Sequence, residues 1–139
     1  MAGTLIHGGQ PGFVHTLNAV SLCVNSLDVS INRNVVDART NCGNSQVAGE
    51  VSTEVSDSGP CGFGAGSDEA TKFAHMIATA GQAWTMKPKN AATAADNPQY
   101  AGTLLGTKFS LKLTPTGNVE QSFAAKLTDS AGYPTRTTS

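Results

Sequence analysis

The sequence predicts a mainly β domain, an antiparallel β-sandwich or partly open barrel flanked by one α-helix. Three observations predict it. Apolar residues recur at every second position over much of the chain, turn formers cut these runs into short strands, and one central stretch switches to helical spacing. Parallel βαβ units would need a helix between successive strands, and the pattern does not supply them.

Residues 1–18 read as an N-terminal arm, because Gly8, Gly9, Pro11 and Gly12 favour turns and the segment carries little periodicity. The β domain spans 19–128, and a polar C-terminal tail spans 129–139. At the start of the domain, Val20, Leu22 and Val24 share one strand face. After a break at Asn25 and Ser26, Leu27, Val29 and Ile31 share another. From Asn32 to Gln46 the chain is polar with turn formers near the end, which reads as a long loop or an extended hairpin arm. Alternation resumes from Val47 to Ser56. Val47, Gly49, Val51, Thr53 and Val55 lie opposite Ala48, Glu50, Ser52, Glu54 and Ser56, and the second set makes an acidic, solvated face.

Asp57 to Gly66 holds four glycines and a proline, too many to sustain a ladder, so a loop is expected. Ser67 then suits an N-cap, Asp68 and Glu69 suit the positive end of the helix dipole, and Gly81 is the expected C′ residue. Ala70, Phe73, Ala74, Ile77 and Ala78 form an apolar stripe at helical spacing, so Phe73 and Ile77 are expected to anchor the helix on a sheet.

Ala83 to Lys89 predicts a short strand that Pro88 ends, with Trp84 and Met86 on one face, and 90–98 predicts a loop. The closing hairpin carries the plainest signal. Leu105, Thr107, Phe109, Leu111 and Leu113 alternate with polar or small residues, Pro115 to Asn118 turn the chain, and Val119, Gln121, Phe123, Ala125 and Leu127 alternate again. Gln121 breaks an otherwise apolar face. Lys108, Lys112, Glu120 and Lys126 occupy the opposite face, where they can pair across strands.

A chain of 139 residues supports one core. Charged residues are only 14% of it, well below the usual quarter, so much of the surface is uncharged and suits coverage by neighbouring copies. A net charge of −1 with dispersed Lys and Arg leaves no basic footprint for sequence-specific DNA binding. No apolar run reaches membrane-spanning length and no signal sequence opens the chain, so assembly in the cytoplasm is expected.

The three cysteines, Cys23, Cys42 and Cys61, form no C-x-x-C pair, and their spacing indicates neither a disulfide framework nor a zinc site. Nucleotide-loop, zinc-protease and serine-hydrolase motifs do not occur, and the acidic residues are dispersed. No catalytic residue, metal ligand or cofactor is therefore assigned, and His75, off the apolar stripe, reads as a solvated or interfacial imidazole.

An alternating strand runs into Ser30, Arg33, Asp37 and Thr40. A loop follows, then Val47 to Ser52, a helix, and a hairpin from Tyr100 to Leu127. This layout, covering about Leu17 to Leu127, resembles the tail tube (major tail) proteins of long-tailed bacteriophages. The resemblance implies a non-enzymatic virion protein whose copies close into hexameric rings, with rings stacked into a hollow tube through which DNA passes. Its implied partners are itself and other tail proteins such as the terminator, tape measure and baseplate.

It also maps the early loop, Asn32 to Gln46, onto contacts with the next ring, with Arg33, Asp37 and Arg39 as ionic contacts. Glu50 and Glu54 become candidates for lining the lumen, with pairing to Lys108 or Lys112 as the alternative. Other ring-forming virion proteins (a head-to-tail connector, a tail terminator, a capsid decoration protein) remain compatible with the same pattern. A ligand-binding β-sandwich would need an aromatic platform, and Trp84, Tyr100 and Tyr133 are isolated in sequence.

Overall fold

The computed structural model describes residues 12–117 and 119–139. The described residues form one antiparallel sheet of eight strands with a single helix. The strands are β1 (Val14–Leu17), β2 (Val20–Ser21), β3 (Ser26–Thr40), β4 (Gly43–Pro60), β5 (Gln82–Lys87), β6 (Gln99–Lys112), β7 (Glu120–Leu127) and β8 (Thr135–Thr137). Helix α1 (Asp68–Ile77) lies between β4 and β5. The sheet runs β2-β1-β5-β6-β7-β4-β3, with β8 added to β6 beside Gln99–Ala101, and it does not close on itself. The mainly β, partly open architecture with one flanking helix is as the sequence predicts.

The core is small: Leu17, Leu22, Val55, Trp84, Leu104, Phe123 and Ala125 are buried, with Val24, Leu27, Val29, Met76, Met86 and Phe109 packed around them. The central strands contribute through period-two alternation, as Thr53, Val55 and Asp57 on β4 and Gln121, Phe123 and Ala125 on β7 show. On β6 the phase changes. A bulge between Gly106 and Lys108 shifts the register, so Leu104 is buried while Leu105, expected on the core face with Phe109, is exposed.

Three other expectations are corrected. The part of the expected arm within the described residues contains β1, whose His15 and Leu17 are buried against β5; the rest of it, 1–11, lies outside them. The expected loop from Asp57 begins only after Pro60, because Asp57–Pro60 pairs with β7 on one side and its first residues pair with β3 on the other. Gly59 belongs there because the chain at Val24 and Asn25 crosses close over it: an added Cβ would lie 2.7 Å from Asn25 N. Finally, α1 ends at Ile77 with Ala78 extended as its C-cap, well before Gly81.

The face of α1 is the largest surprise. Ser67 caps the helix as expected, its Oγ accepting from Ala70 N at 3.2 Å. Yet Lys72 and His75 are fully buried, whereas Phe73 is 56% and Ile77 67% exposed. The helix seats over Gly106, where an added Cβ would lie 2.5 Å from Met76 Sδ and 2.8 Å from His75 Cδ2.

Candidate assembly surfaces

The inversion of α1 follows from what the sheet offers beneath it. Asp57 on β4 and Gln121 on β7 point into the core, and a buried carboxylate needs donors. Lys72 Nζ donates to Asp57 Oδ1 at 2.6 Å and to Gln121 Oε1 at 2.8 Å, and Gln121 Nε2 donates to Asp57 Oδ1 at 3.2 Å. The ammonium also lies 5.4 Å from the centre of the Phe123 ring. From β1, His15 supplies Oδ2 of Asp57 with a donor at 2.8 Å. Its tautomer is fixed from the other side, because Trp84 Nε1–H donates to His15 Nδ1 at 2.9 Å, which leaves the proton on Nε2. Burial raises the Asp57 pKa, but the hydrogen bonds from His15 and Lys72 and the charge of Lys72 outweigh it, and the carboxyl titrates below the ordinary value. This cluster locks β1, α1, β4, β5 and β7 together, and it is sealed from solvent. Its chemistry is structural.

His75, expected to be solvated or interfacial, is buried instead. Its Nδ1 bonds Gln82 Oε1 at 3.0 Å, and its ring stands edge-on to Phe123. Gln121, Asp57 and Lys72 were the residues hardest to place from sequence, and the only hint was Gln121 interrupting an apolar face.

The surface facing away from this core is largely polar across β3, β4, β7 and β6. Ser26, Ser58, Ser122 and Ser110 stand in register across the four strands. The next row is Asp28, Ser56, Ala124 and Lys108, and the one after it Ser30, Glu54, Lys126 and Leu105. Lys112 faces Glu120 across β6 and β7. Glu54 meets Lys126, not Lys108 or Lys112, with 3.7 Å between charged atoms that stay largely exposed. Glu50 is exposed as well, at a bulge where Gly49 and Glu50 together oppose Asn34.

Beyond Glu54 β4 leaves β7, and its pairing continues with β3 alone. The two strands run on as a hairpin to the Thr40–Gly43 turn, an arm that six pairs from Val35 to Thr40 extend by about 20 Å. The loop-or-arm alternative for Asn32 to Gln46 thus resolves as the arm. Arg33, Asp37 and Arg39 alternate along β3 and are exposed, and none of them forms an ion pair among the described residues. Val35, Val36 and Val47 on the arm are each about half exposed. A two-stranded ribbon with uncovered valines is marginal on its own and suits contact with another surface.

Two further surfaces are unfilled. The outer edge of β3 has no strand beside it within the described residues, which leaves a row of backbone donors and acceptors over 15 residues. Phe73 and Ile77 form an apolar stripe on the outside of α1, and Phe63 on the preceding loop is 57% exposed. No helix among the described residues is long and apolar enough to cross a membrane.

No protein-family model and no curated relative matches the sequence. Solved structures do match the fold. A chain of the native gene transfer agent virion superposes with a TM-score of 0.64 at 13% identity, covering 87% of this chain and 94% of that one. A chain of the anti-feeding prophage cap, described as tube-terminating, superposes at 0.68 with 14% identity over 100% of this chain and 95% of that one. A chain from the tail of the empty gene transfer agent particle, refined as a helix with C6 symmetry, gives 0.59 with 15% identity over 79% and 81%. The fold is that of chains in phage-like tail particles, the tail-tube-like fold that the sequence layout resembles.

Proposed function

We propose that the chain is a structural, non-enzymatic subunit of a phage-like tail whose copies close into rings, hexameric by analogy with the C6 tail it resembles in fold. The rings stack into a hollow tube that conducts DNA. The observation that carries this reading is the uncovered outer edge of β3, combined with a fold shared with tail-particle chains. An edge of that length costs nothing when a neighbouring copy pairs with it, and ring closure leaves no edge over.

In this reading the four-strand polar face lines the lumen. Small hydroxyl side chains and charges of both signs, Glu54 among them, give a surface that neither grips phosphates nor sticks to bases, and Glu50 lies just beyond it where β4 pairs with β3 alone. The hairpin arm reaches the next ring, with Arg33, Asp37 and Arg39 meeting complementary charges there. The valines of the arm and the Phe73 and Ile77 stripe become covered between copies. The other tail proteins named by the resemblance, terminator, tape measure and baseplate, are its partners, and the virion tail is its place.

The full-length match to a tube-terminating cap supports a second reading, a ring that caps a tube instead of building it. Negative-stain microscopy of the purified protein separates the two. Long hollow tubes support the tube subunit and discrete single rings support the cap, while a uniform monomer at high concentration rules out both.

A further inference from the structure

Two of the three free cysteines line one cleft at the foot of α1. Ser26 and Ser58 are the last registered pair of β3 and β4, but the two chains do not part there. Asn25 N–H donates to Ser58 O at 2.9 Å, and an added Cβ on Gly59 would lie 3.1 Å from Val24 Cα. Cys61 is two residues beyond Gly59 and so points to the same side of the chain, and Cys23 is one residue before Val24. The start of α1 closes the site. Cys23 N–H donates to Asp68 Oδ2 at 3.0 Å, and the same carboxylate lies close enough to Cys61 to act on its thiol. Cys23 and Cys61 line one cleft together with Pro60, Ser67 and Asp68. Cys42 sits apart, at the exposed tip of the hairpin arm.

We propose that Cys23 and Cys61 form a disulfide when the protein meets an oxidising medium, stapling the β2–β3 connection to the end of β4. The oxidant is a small disulfide such as oxidised glutathione. Cys23, the more exposed of the pair, attacks it as a thiolate, and one glutathione thiol departs to leave a mixed disulfide. Cys61 as thiolate then attacks the Cys23 sulfur and expels the second glutathione. The two protons lost by the cysteines are balanced by the two glutathione thiols formed, and the two electrons released reduce the glutathione S–S bond.

Burial, followed by the charges of Asp68 and Glu69, pushes the Cys61 thiol up. Its attack as a thiolate therefore quickens as pH rises. The pair stays reduced under reducing conditions and closes after release from them. Nothing in this step depends on ring or tube formation, so its failure leaves the assembly reading untouched.

The Cys42→Ser protein, altered only on the exposed turn, is the clean background because it retains two thiols. After treatment with oxidised glutathione, intact-mass and peptide analysis should show both thiols lost, no glutathione retained, and a peptide joining Cys23 to Cys61. The thermal midpoint should rise by several degrees and return on reduction, and adding Cys23→Ser should abolish that rise. Persistent thiols, glutathione retained on both cysteines, or links only between separate chains would overturn the proposal.

Discussion

Lys72 Nζ lies 2.6 Å from Asp57 Oδ1, with both side chains shut off from solvent. That one contact explains why α1 turns its apolar stripe outward. Burying Phe73 and Ile77 in place of Lys72 would gain apolar area, but it would strand a carboxylate without its cation. Lys72→Met keeps the length of the side chain and removes its charge. It should cost about 3 kcal/mol in chemical denaturation, because His15 and Gln121 still donate to Asp57 but nothing neutralises it. A cost below about 1 kcal/mol would mean that solvent reaches Asp57 after all.

The two perturbed aspartates should act on stability in opposite directions. Asp57 has a folded pKa below its ordinary 3.8, so its contribution is complete above that value and is lost as pH falls through the folded one. Asp68 is raised above 3.8, by burial first, so the folded state holds its proton more tightly and stability drops as pH rises through its folded pKa. Asp68→Asn keeps an acceptor for Cys23 N–H and removes the charge. Urea midpoints should therefore fall in acid for the natural chain, and at about pH 7 the Asp68→Asn protein should be the more stable of the two. A lower midpoint for that variant at neutral pH would show that the charge is used elsewhere.

The β1–β2 turn holds both Asn18 and Ala19 at positive φ, 52° and 65°. Asn tolerates this conformation and Ala does not, which makes Ala19 the strained residue of a two-residue hairpin turn. Ala19→Gly should stabilise the fold by about 1 kcal/mol, read as a shift in denaturation midpoint at unchanged slope. No gain would mean that the extra freedom of Gly in the unfolded chain cancels the relief.

How much of this was legible beforehand depends on the range of the interactions. The closing hairpin, the Trp84 strand and the Ser67 cap announce themselves through local alternation and capping chemistry, and the structure contains them. β1 did not announce itself, because four residues with a histidine at a buried position give no apolar period. Asp57 to Pro60 looked like loop because Gly59 and Pro60 weaken a ladder in isolation, whereas here β7 pairs with them and Val24 crosses over Gly59. The buried cluster draws on residues 15, 57, 72, 84 and 121, and no periodicity within one element can report a contact that long-range. Exposure of Phe73 and Ile77 is the consequence of that cluster, so it was hidden with it.

The hairpin arm offers a test of ring stacking. Arg33 and Arg39 are exposed along one strand and have no acidic partner among the described residues. Replacing both with Ala should leave the monomer within about 0.5 kcal/mol of its natural stability, since no intramolecular contact is lost. Tubes should become shorter or give way to single rings under the microscope, and more so at raised salt. Unchanged tube length would remove these arginines from the stacking contact.

Phe73→Ser with Ile77→Ser asks whether the outward stripe of α1 is an interface between copies. In an isolated chain both side chains already face water, so the substitutions bring little loss of buried area, and the α1–Asp57 ion pair is untouched. Thermal unfolding of the dilute monomer should therefore move little. If neighbouring copies cover the stripe, the loss of two large apolar side chains at roughly 1.5–3 kcal/mol each is multiplied around a ring, which raises the concentration needed for assembly by orders of magnitude. Sedimentation across a concentration series reads this directly. Assembly at an unchanged threshold would show that the stripe stays in water, and a monomer that unfolds early would instead place Phe73 and Ile77 among the residues that hold the helix down.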